Sequence, residues 1–208
     1  MTTALTATDE AVVSFLMQHT PAEVDKSLAS RALSRGVKLT ADFRLSGPEG
    51  TCNVSIRGFS VACRPDVDPM TAVQAEIEAI DRAMTPAPQQ AIEAWLADLD
   101  VITAKRADDA TGIAMRLLAY TRRLADQPAD AVRHALTVKT WKFWPTWDEL
   151  KAEIDSTTER RRLMRAALER FLSKPAPSRE DRAMSRVTPE EADRIRAEVE
   201  AKFAEAQQ

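Results

Sequence analysis

The chain has 208 residues, of which 44% are hydrophobic and 29% are charged. These fractions are typical of globular proteins rather than of disordered chains, and the length suffices for one sizeable core or two small ones. The formal net charge of -3 and the pI near 5.6 argue against a general nucleic-acid coat, because neutralising phosphates requires clustered Lys and Arg residues.

The sequence also lacks the usual membrane and export signals. No apolar run approaches the roughly 20 residues that cross a bilayer, and the first residues lack the basic start and the cleavage site of a signal peptide. We therefore predict a soluble, cytosolic protein. Two cysteines, Cys52 and Cys63, are too few for a disulfide scaffold, and we interpret them as packed thiols without a redox role.

Two short helices are predicted at the start of the chain, at residues 9–18 and 21–34. The second has Pro21 in its first turn, where the missing N–H costs nothing, and Gly36 just past its end.

A β-hairpin is predicted next. Apolar and polar residues alternate over residues 37–45 and again over 52–56, with a turn at 46–50, and the second strand either stops there or continues to residue 63. Because a two-stranded hairpin is marginal in water, the flanking helices must cover its apolar face. With a further helix at residues 70–84, residues 1–85 are predicted to form a small α+β unit.

The segment TPAPQQ predicts a boundary, because its two prolines interrupt a helix and restrict the residues before them. A helical domain is expected over residues 86–172, with apolar residues at spacings of three and four. Its helices are expected at residues 90–102, 108–126, 128–138 and 146–154, and residues 156–172 form either another helix or the continuation of the last.

Residues 173–187 are polar and contain two prolines, and they predict a linker to a C-terminal helix at residues 188–208. Thr188 can cap that helix, with Pro189 in its first turn. Its apolar stripe is too thin to form a core and predicts a packing partner, either the body of this chain or another protein. The fold class is thus mainly α, with a small N-terminal α+β unit, a central helical bundle, a linker and a C-terminal helix.

Catalytic chemistry is not predicted. The chain has only 5 glycines and no GxxxxGK[ST] segment, which argues against a phosphate-binding loop. His19 and His134 lie far apart in sequence without ligand-spaced partners, and the acidic pairs stand at helix starts, where the helix dipole favours carboxylates. We predict no catalytic residues, no metal, no cofactor and no enzymatic activity.

The segment WKFWPTWDEL, residues 141–150, holds three of the chain's four tryptophans. Thr146 and Glu149 predict a capping box at a helix start. The aromatic side chains either close the core of the helical unit or leave a tryptophan exposed as an anchor for a partner. The candidate partner-binding residues, in this segment and in the C-terminal helix, are Trp144, Trp147, Ile195, Val199 and Phe203.

The stretch ERRRLMRAALERFLSK is basic and amphipathic. Residues 128–174 carry ten Lys and Arg residues against seven Asp and Glu residues. The cationic side is either a solvated face or a contact for DNA phosphates or an acidic protein surface. The candidate residues for such a contact are Arg160, Arg161, Arg162 and Arg165.

Residues 90–172 resemble the helical domain of bacteriophage and prophage replicative-helicase loaders. The similarity lies in the opening helix AIEAWLADL, the second segment RLLAYTRRLADQPADAVRHAL, and a basic, aromatic connector ending in WPTWDEL. The resemblance implies a role at phage or plasmid-type replication origins, where such proteins recruit or restrain the hexameric helicase. It also implies that a flexible C-terminal part contacts the helicase. The α+β unit lies outside the resemblance.

We therefore expect a non-enzymatic DNA replication accessory protein of phage or prophage type that binds the replicative helicase and loads or restrains it, with DNA or an origin-binding protein as a further partner. Two alternatives stay open. One is a phage regulatory or packaging DNA-binding protein in which the arginines at positions 160–165 contact phosphates, and the other is a structural, virion-associated protein.

Overall fold

A computed structural model of the chain describes residues 7–46, 53–103, 110–173 and 194. Within these residues the fold is mainly helical with one two-stranded antiparallel sheet near the N-terminus, which confirms the predicted fold class. The helices are α1 (Ala7–Gln18), α2 (Pro21–Ser34), α3 (Pro69–Ala83), α4 (Gln89–Ile102), α5 (Ala110–Leu124), α6 (Ala129–Arg133) and α7 (Trp147–Ser173), and the strands are β1 (Val37–Ser46) and β2 (Asn53–Cys63). Apart from residues 173 and 194, the predicted linker and C-terminal helix lie outside the described residues.

The N-terminal helices begin at residues whose side chains bond to the backbone. Thr20 and Glu23 form a capping box before α2, in which the Thr20 N–H donates to Glu23 Oε2 at 2.7 Å and the Glu23 N–H donates to Thr20 Oγ1 at 3.3 Å. Asp68 caps α3 by accepting a hydrogen bond from the Thr71 N–H at 3.0 Å. These bonds satisfy N–H groups that a helix start leaves without partners.

Gly36, between α2 and β1, adopts a left-handed conformation with φ of 82°. A Cβ atom at this position would come within 2.8 Å of Val67 Cγ2. Glycine therefore meets both a conformational and a steric requirement at the turn from α2 into the sheet.

The hairpin pairs β1 with β2 from Val37 opposite Cys63 to Ser46 opposite Asn53, so the second strand takes the longer of the two predicted extents. The register shifts between Asp42 and Phe43, opposite Arg57, which is the extra residue of a bulge. Where its strands adjoin α2 and α3, the hairpin buries apolar side chains in the core. Phe43 lies beyond the bulge, toward the other end of the hairpin, and is 64% exposed.

The core is continuous across the boundary predicted near residue 85. Val73 and Ile80 of α3 belong to the same buried cluster as Ile92 of α4 and Leu168 of α7. The backbone links the two parts as well, since the Ala129 N–H donates to the Thr85 carbonyl at 3.0 Å. Met1–Leu172 accordingly forms one compact unit.

The last helix of this unit, α7, is continuous over 27 residues, so residues 156–172 continue the preceding helix rather than forming a separate one. Before it, α6 passes into a π-helical turn at His134–Val138. No helix among the described residues is long and apolar enough to span a membrane.

Candidate functional site

The segment from the end of the π-helical turn to the first residue of α7, residues 139–147, is termed the aromatic connector. It ends in the predicted capping box, which the structure confirms. The Thr146 N–H donates to Glu149 Oε2 at 2.7 Å, and the Glu149 N–H donates to Thr146 Oγ1 at 3.3 Å. The backbone bond from Thr146, reinforced by its hydroxyl, lowers the pKa of the Glu149 carboxyl below its ordinary value of 4.5.

This lowered pKa predicts an acid-sensitive contribution to stability. The ionised Glu149 stabilises the fold above pH 4.5, and the contribution is lost as the pH falls through the lower pKa of the folded state. Glu149→Gln removes the ionisation, so the deficit in urea midpoint relative to the unsubstituted protein should be larger at pH 7 than at about pH 3.

The matched control is Asp148→Asn, because Asp148 is the exposed neighbouring carboxylate and makes no hydrogen bond that the structure describes. Asp148 lies in the same first turn of α7 as Glu149, so Asp148→Asn reports the interaction with the helix dipole alone. Its deficit in urea midpoint should therefore change less between the two pH values than that of Glu149→Gln. A deficit of Glu149→Gln that does not change with pH would contradict the role of the ionised carboxylate.

The tryptophans of the connector are partly buried. Trp141 Nε1 donates to the Ala135 carbonyl at 2.7 Å, which ties the connector to the π-helical turn. Trp144 and Trp147 meet the Tyr120 ring edge to face, with centroids 5.5 and 6.2 Å away. Each tryptophan therefore contributes to packing and also keeps part of its surface accessible.

Tyr120 fixes the connector against α5 through a second contact. Its hydroxyl donates to the Pro145 carbonyl at 2.8 Å. Burial raises the pKa of Tyr120, so the phenol remains a neutral donor at physiological pH. The connector is thus held by side chains immediately before α7 begins.

Cationic side chains cover the aromatic rings of this region. The guanidinium carbon of Arg116 lies 4.8 Å from the Trp144 ring centroid, and that of Arg123 lies 5.1 Å from the Trp147 ring centroid. Such contacts are worth about 0.5–1 kcal/mol each at exposed sites. We define the connector surface as Arg116, Arg123, Lys142, Phe143, Trp144 and Trp147.

Phe143 is the most accessible aromatic residue of this surface, at 61% exposed, and Lys142 Nζ lies 5.3 Å from its ring centroid. Arg116 is partly neutralised by Asp100 at 3.4 Å. Among the described residues, neither Arg123 nor Lys142 forms an ion pair. The connector surface therefore combines accessible aromatic area with positive charge that remains available for a partner.

Arg161, predicted as a contact for nucleic acid or an acidic partner, is 0% exposed, so that prediction is wrong. Its Nε donates to Asp25 Oδ1 at 2.7 Å, and its Nη1 donates to Asp130 Oδ1 at 2.9 Å and to the Ala83 carbonyl at 3.0 Å. Nη2 donates to Asp130 as well and to the Pro21 carbonyl at 3.2 Å. The guanidinium is committed to the core and is inaccessible to phosphates.

The environment of Asp25 reflects the same burial. Loss of water raises the pKa of its carboxyl, and the positive charge and hydrogen bond of Arg161 oppose that rise. The buried cluster of Arg161, Asp25 and Asp130 therefore joins α2, α6 and α7 inside one core.

The other predicted arginines lie on the surface of α7. Arg162 forms an ion pair with Asp155 at 2.8 Å, and Arg165 forms one with Asp81 at 2.7 Å. Arg160 is exposed, with its guanidinium carbon 5.9 Å from the Phe59 ring centroid. Because carboxylates neutralise two of the three accessible arginines, this face is a weaker phosphate contact than its sequence indicates.

The structure brings together Trp144 and Trp147 but not the complete predicted set. Ile195, Val199 and Phe203 lie outside the described residues. Arg116 and Arg123, which were not predicted, join the tryptophans from α5. Their sequence signal is the helical spacing that places both near Tyr120 on one side of α5.

No group of three or more His, Cys, Asp or Glu residues in the described part of the chain is arranged to hold a metal ion. Comparisons with protein-family models, with curated proteins and with solved structures found no match to this chain.

Proposed function

We propose that the protein is a non-enzymatic DNA replication accessory protein of phage or prophage type, which binds a hexameric replicative helicase and loads or restrains it. The proposal starts from the resemblance of residues 90–172 to helicase loaders. Under this proposal, the connector surface contacts a protein partner, and the C-terminal segment at residues 188–208 supplies the main helicase contact.

The observation that carries this proposal is the chemistry of the connector surface. Tryptophan, tyrosine and arginine are enriched among the few residues that dominate binding energy at protein interfaces. Packing already orders these tryptophans, so they lose less side-chain entropy when a partner binds them. The charges of Arg123 and Lys142 favour an acidic partner surface.

The experiment compares the full chain with a chain ending at Ser173 for binding to the purified hexameric helicase of the host, measured by surface plasmon resonance. We expect the shortened chain to bind at least about ten-fold more weakly, which corresponds to about 1.4 kcal/mol. Equal binding by both chains would remove the proposed role of the C-terminal segment.

A second arm tests the connector surface in the full chain. Phe143→Ala should also weaken helicase binding, because it removes the most accessible aromatic ring of that surface. Phe43→Ala is the matched control, since Phe43 is a phenylalanine of similar exposure on the hairpin. If both substitutions change binding equally, the connector surface is not the specific contact.

A further inference from the structure

A cavity of about 310 Å³ lies between α1, α2 and α3, in the part of the chain that the resemblance to helicase loaders does not cover. It is open to solvent on one side and is termed the groove. Its volume falls at the lower end of the range of ligand pockets. Its apolar lining includes Val12, Phe15, Leu16, Val24, Leu28 and Ala79.

The groove retains accessible apolar surface. Phe15 is 39% exposed at its edge, whereas Leu16 and Val24 are buried in its floor. A concave apolar surface with a few polar groups at its rim is the usual form of a binding site. The chemistry of its rim then decides what kind of partner fits.

Two arginines of the rim carry positive charge. Arg31 comes from the last turn of α2 and Arg82 from the last turn of α3. Glu76 is a single buried carboxylate shared by Arg31, whose Nε lies 3.9 Å from Glu76 Oε1, and Arg35, whose Nη1 lies at 3.3 Å. Among the described residues Arg82 forms no ion pair, so the described lining of the groove carries a net positive charge.

The two rim arginines lie toward opposite ends of the groove, because α2 and α3 run in opposite directions. Arg161 contacts the Pro21 carbonyl at the start of α2 and the Ala83 carbonyl at the end of α3. Arg31, at the other end of α2, instead lies beside Glu76. From Glu76 to Arg82, α3 rises about 9 Å at 1.5 Å per residue.

We propose that the groove binds an acidic amphipathic helix of a partner protein. Apolar side chains of that helix enter the cavity, and carboxylates on either side of them pair with Arg31 and Arg82. Two glutamates seven positions apart on a helix are separated by about 10 Å along its axis, which is close to the rise of about 9 Å along α3 from Glu76, beside Arg31, to Arg82. A fatty acid has one anionic group and complements only one end.

The test uses the full chain and a fluorescein-labelled synthetic peptide of about 18 residues, long enough to form helix. The peptide carries two adjacent leucines between glutamates seven positions apart, with alanine and glutamine elsewhere. Fluorescence anisotropy should show saturable binding, and the same peptide with lysines in place of both glutamates should bind at least about ten-fold more weakly. Equal binding of the two peptides would overturn the proposal.

Variants of the protein locate the binding site. Arg31→Gln combined with Arg82→Gln should weaken peptide binding about ten-fold or more. Lys26→Gln should leave it unchanged, because Lys26 is an exposed cation of α2 that does not line the groove. Ala11→Trp places a large side chain on the exposed part of the lining and should also weaken binding.

Unfolding midpoints of all variants show whether each remains folded, and the comparison of the two peptides requires no variant. Unchanged binding to the folded double arginine variant would overturn the proposal. So would binding of sodium decanoate by a protein that does not bind the glutamate peptide, because the groove would then be a site for a single-chain carboxylate.

Discussion

Replacement of Arg161 by methionine is expected to lower the free energy of unfolding by about 3–5 kcal/mol, because removing one member of a buried ion cluster leaves the others charged and unpaired. The two carboxylates concerned are those of Asp25 and Asp130, and the side chain of Asp130 is 0% exposed. The backbone carbonyls of Pro21 and Ala83 lose a donor as well. The effect is measured by urea denaturation followed by circular dichroism.

The matched control is Arg162→Met on the same helix. Arg162 forms an exposed ion pair with Asp155, and such surface pairs contribute only about 0–1 kcal/mol. Arg162→Met should therefore change the urea midpoint much less than Arg161→Met. Equal losses from the two substitutions would show that the cluster is not the buried junction described.

A triple substitution separates loss of the charged cluster from loss of packing. Arg161→Met combined with Asp25→Leu and Asp130→Leu removes all three charges together, so no unpaired charge stays buried. Apolar replacement of a buried ion cluster is often neutral or stabilising, and part of the lost stability should therefore return. Recovery is expected to be partial, because the two backbone carbonyls still lack their donor.

Local signals in the sequence predict the elements of this fold well. The predicted pair of Thr146 with Glu149 is three residues apart, so the geometry of a helix start brings the two together. Thr20 and Glu23, which were not predicted, have the same spacing and the same contact. The hairpin is equally local, since its alternating residues identify a buried face. Predictions of this kind depend on neighbours in the chain and require little tertiary information.

The role of Arg161 depends on distant residues. Its position matches the buried stripe of α7, three residues before Met164 and seven before Leu168. Burial of an arginine is nevertheless too costly to predict from spacing, unless carboxylates are known to meet it. Asp25 and Asp130 lie 136 and 31 residues away in sequence, so nothing local reveals them.

The connector surface was predicted only in part for a similar reason. Its tryptophans stand out in composition, but Arg116 and Arg123 join them from α5, which precedes the connector in sequence. Tyr120 of α5 holds the connector beside these arginines by donating a hydrogen bond to the Pro145 carbonyl, 25 residues along the chain. Tertiary packing, and not any local pattern, therefore determines which cations cover which rings.

A fragment of residues 86–173 is expected not to fold cooperatively, although the sequence predicts a domain there. In the fragment, Arg161 lacks the Asp25 carboxylate and the carbonyls of Pro21 and Ala83. The expected loss of about 3–5 kcal/mol from the broken cluster is a large part of the 5–15 kcal/mol that usually stabilises a domain. The fragment also exposes core surface that α3 covers in the whole protein.

The measurement is near-ultraviolet circular dichroism during a thermal scan, and the control is residues 1–173, which retain every partner of Arg161. Both chains contain all four tryptophans, so their aromatic signals are directly comparable. The control should show a single cooperative transition, whereas the fragment should retain helical signal without fixed aromatic bands. A cooperative transition with native bands in the fragment would mean that residues 86–173 are a domain in their own right. Arg161 would then be dispensable for their folding, contrary to its position at the centre of a core shared by α2, α3, α6 and α7.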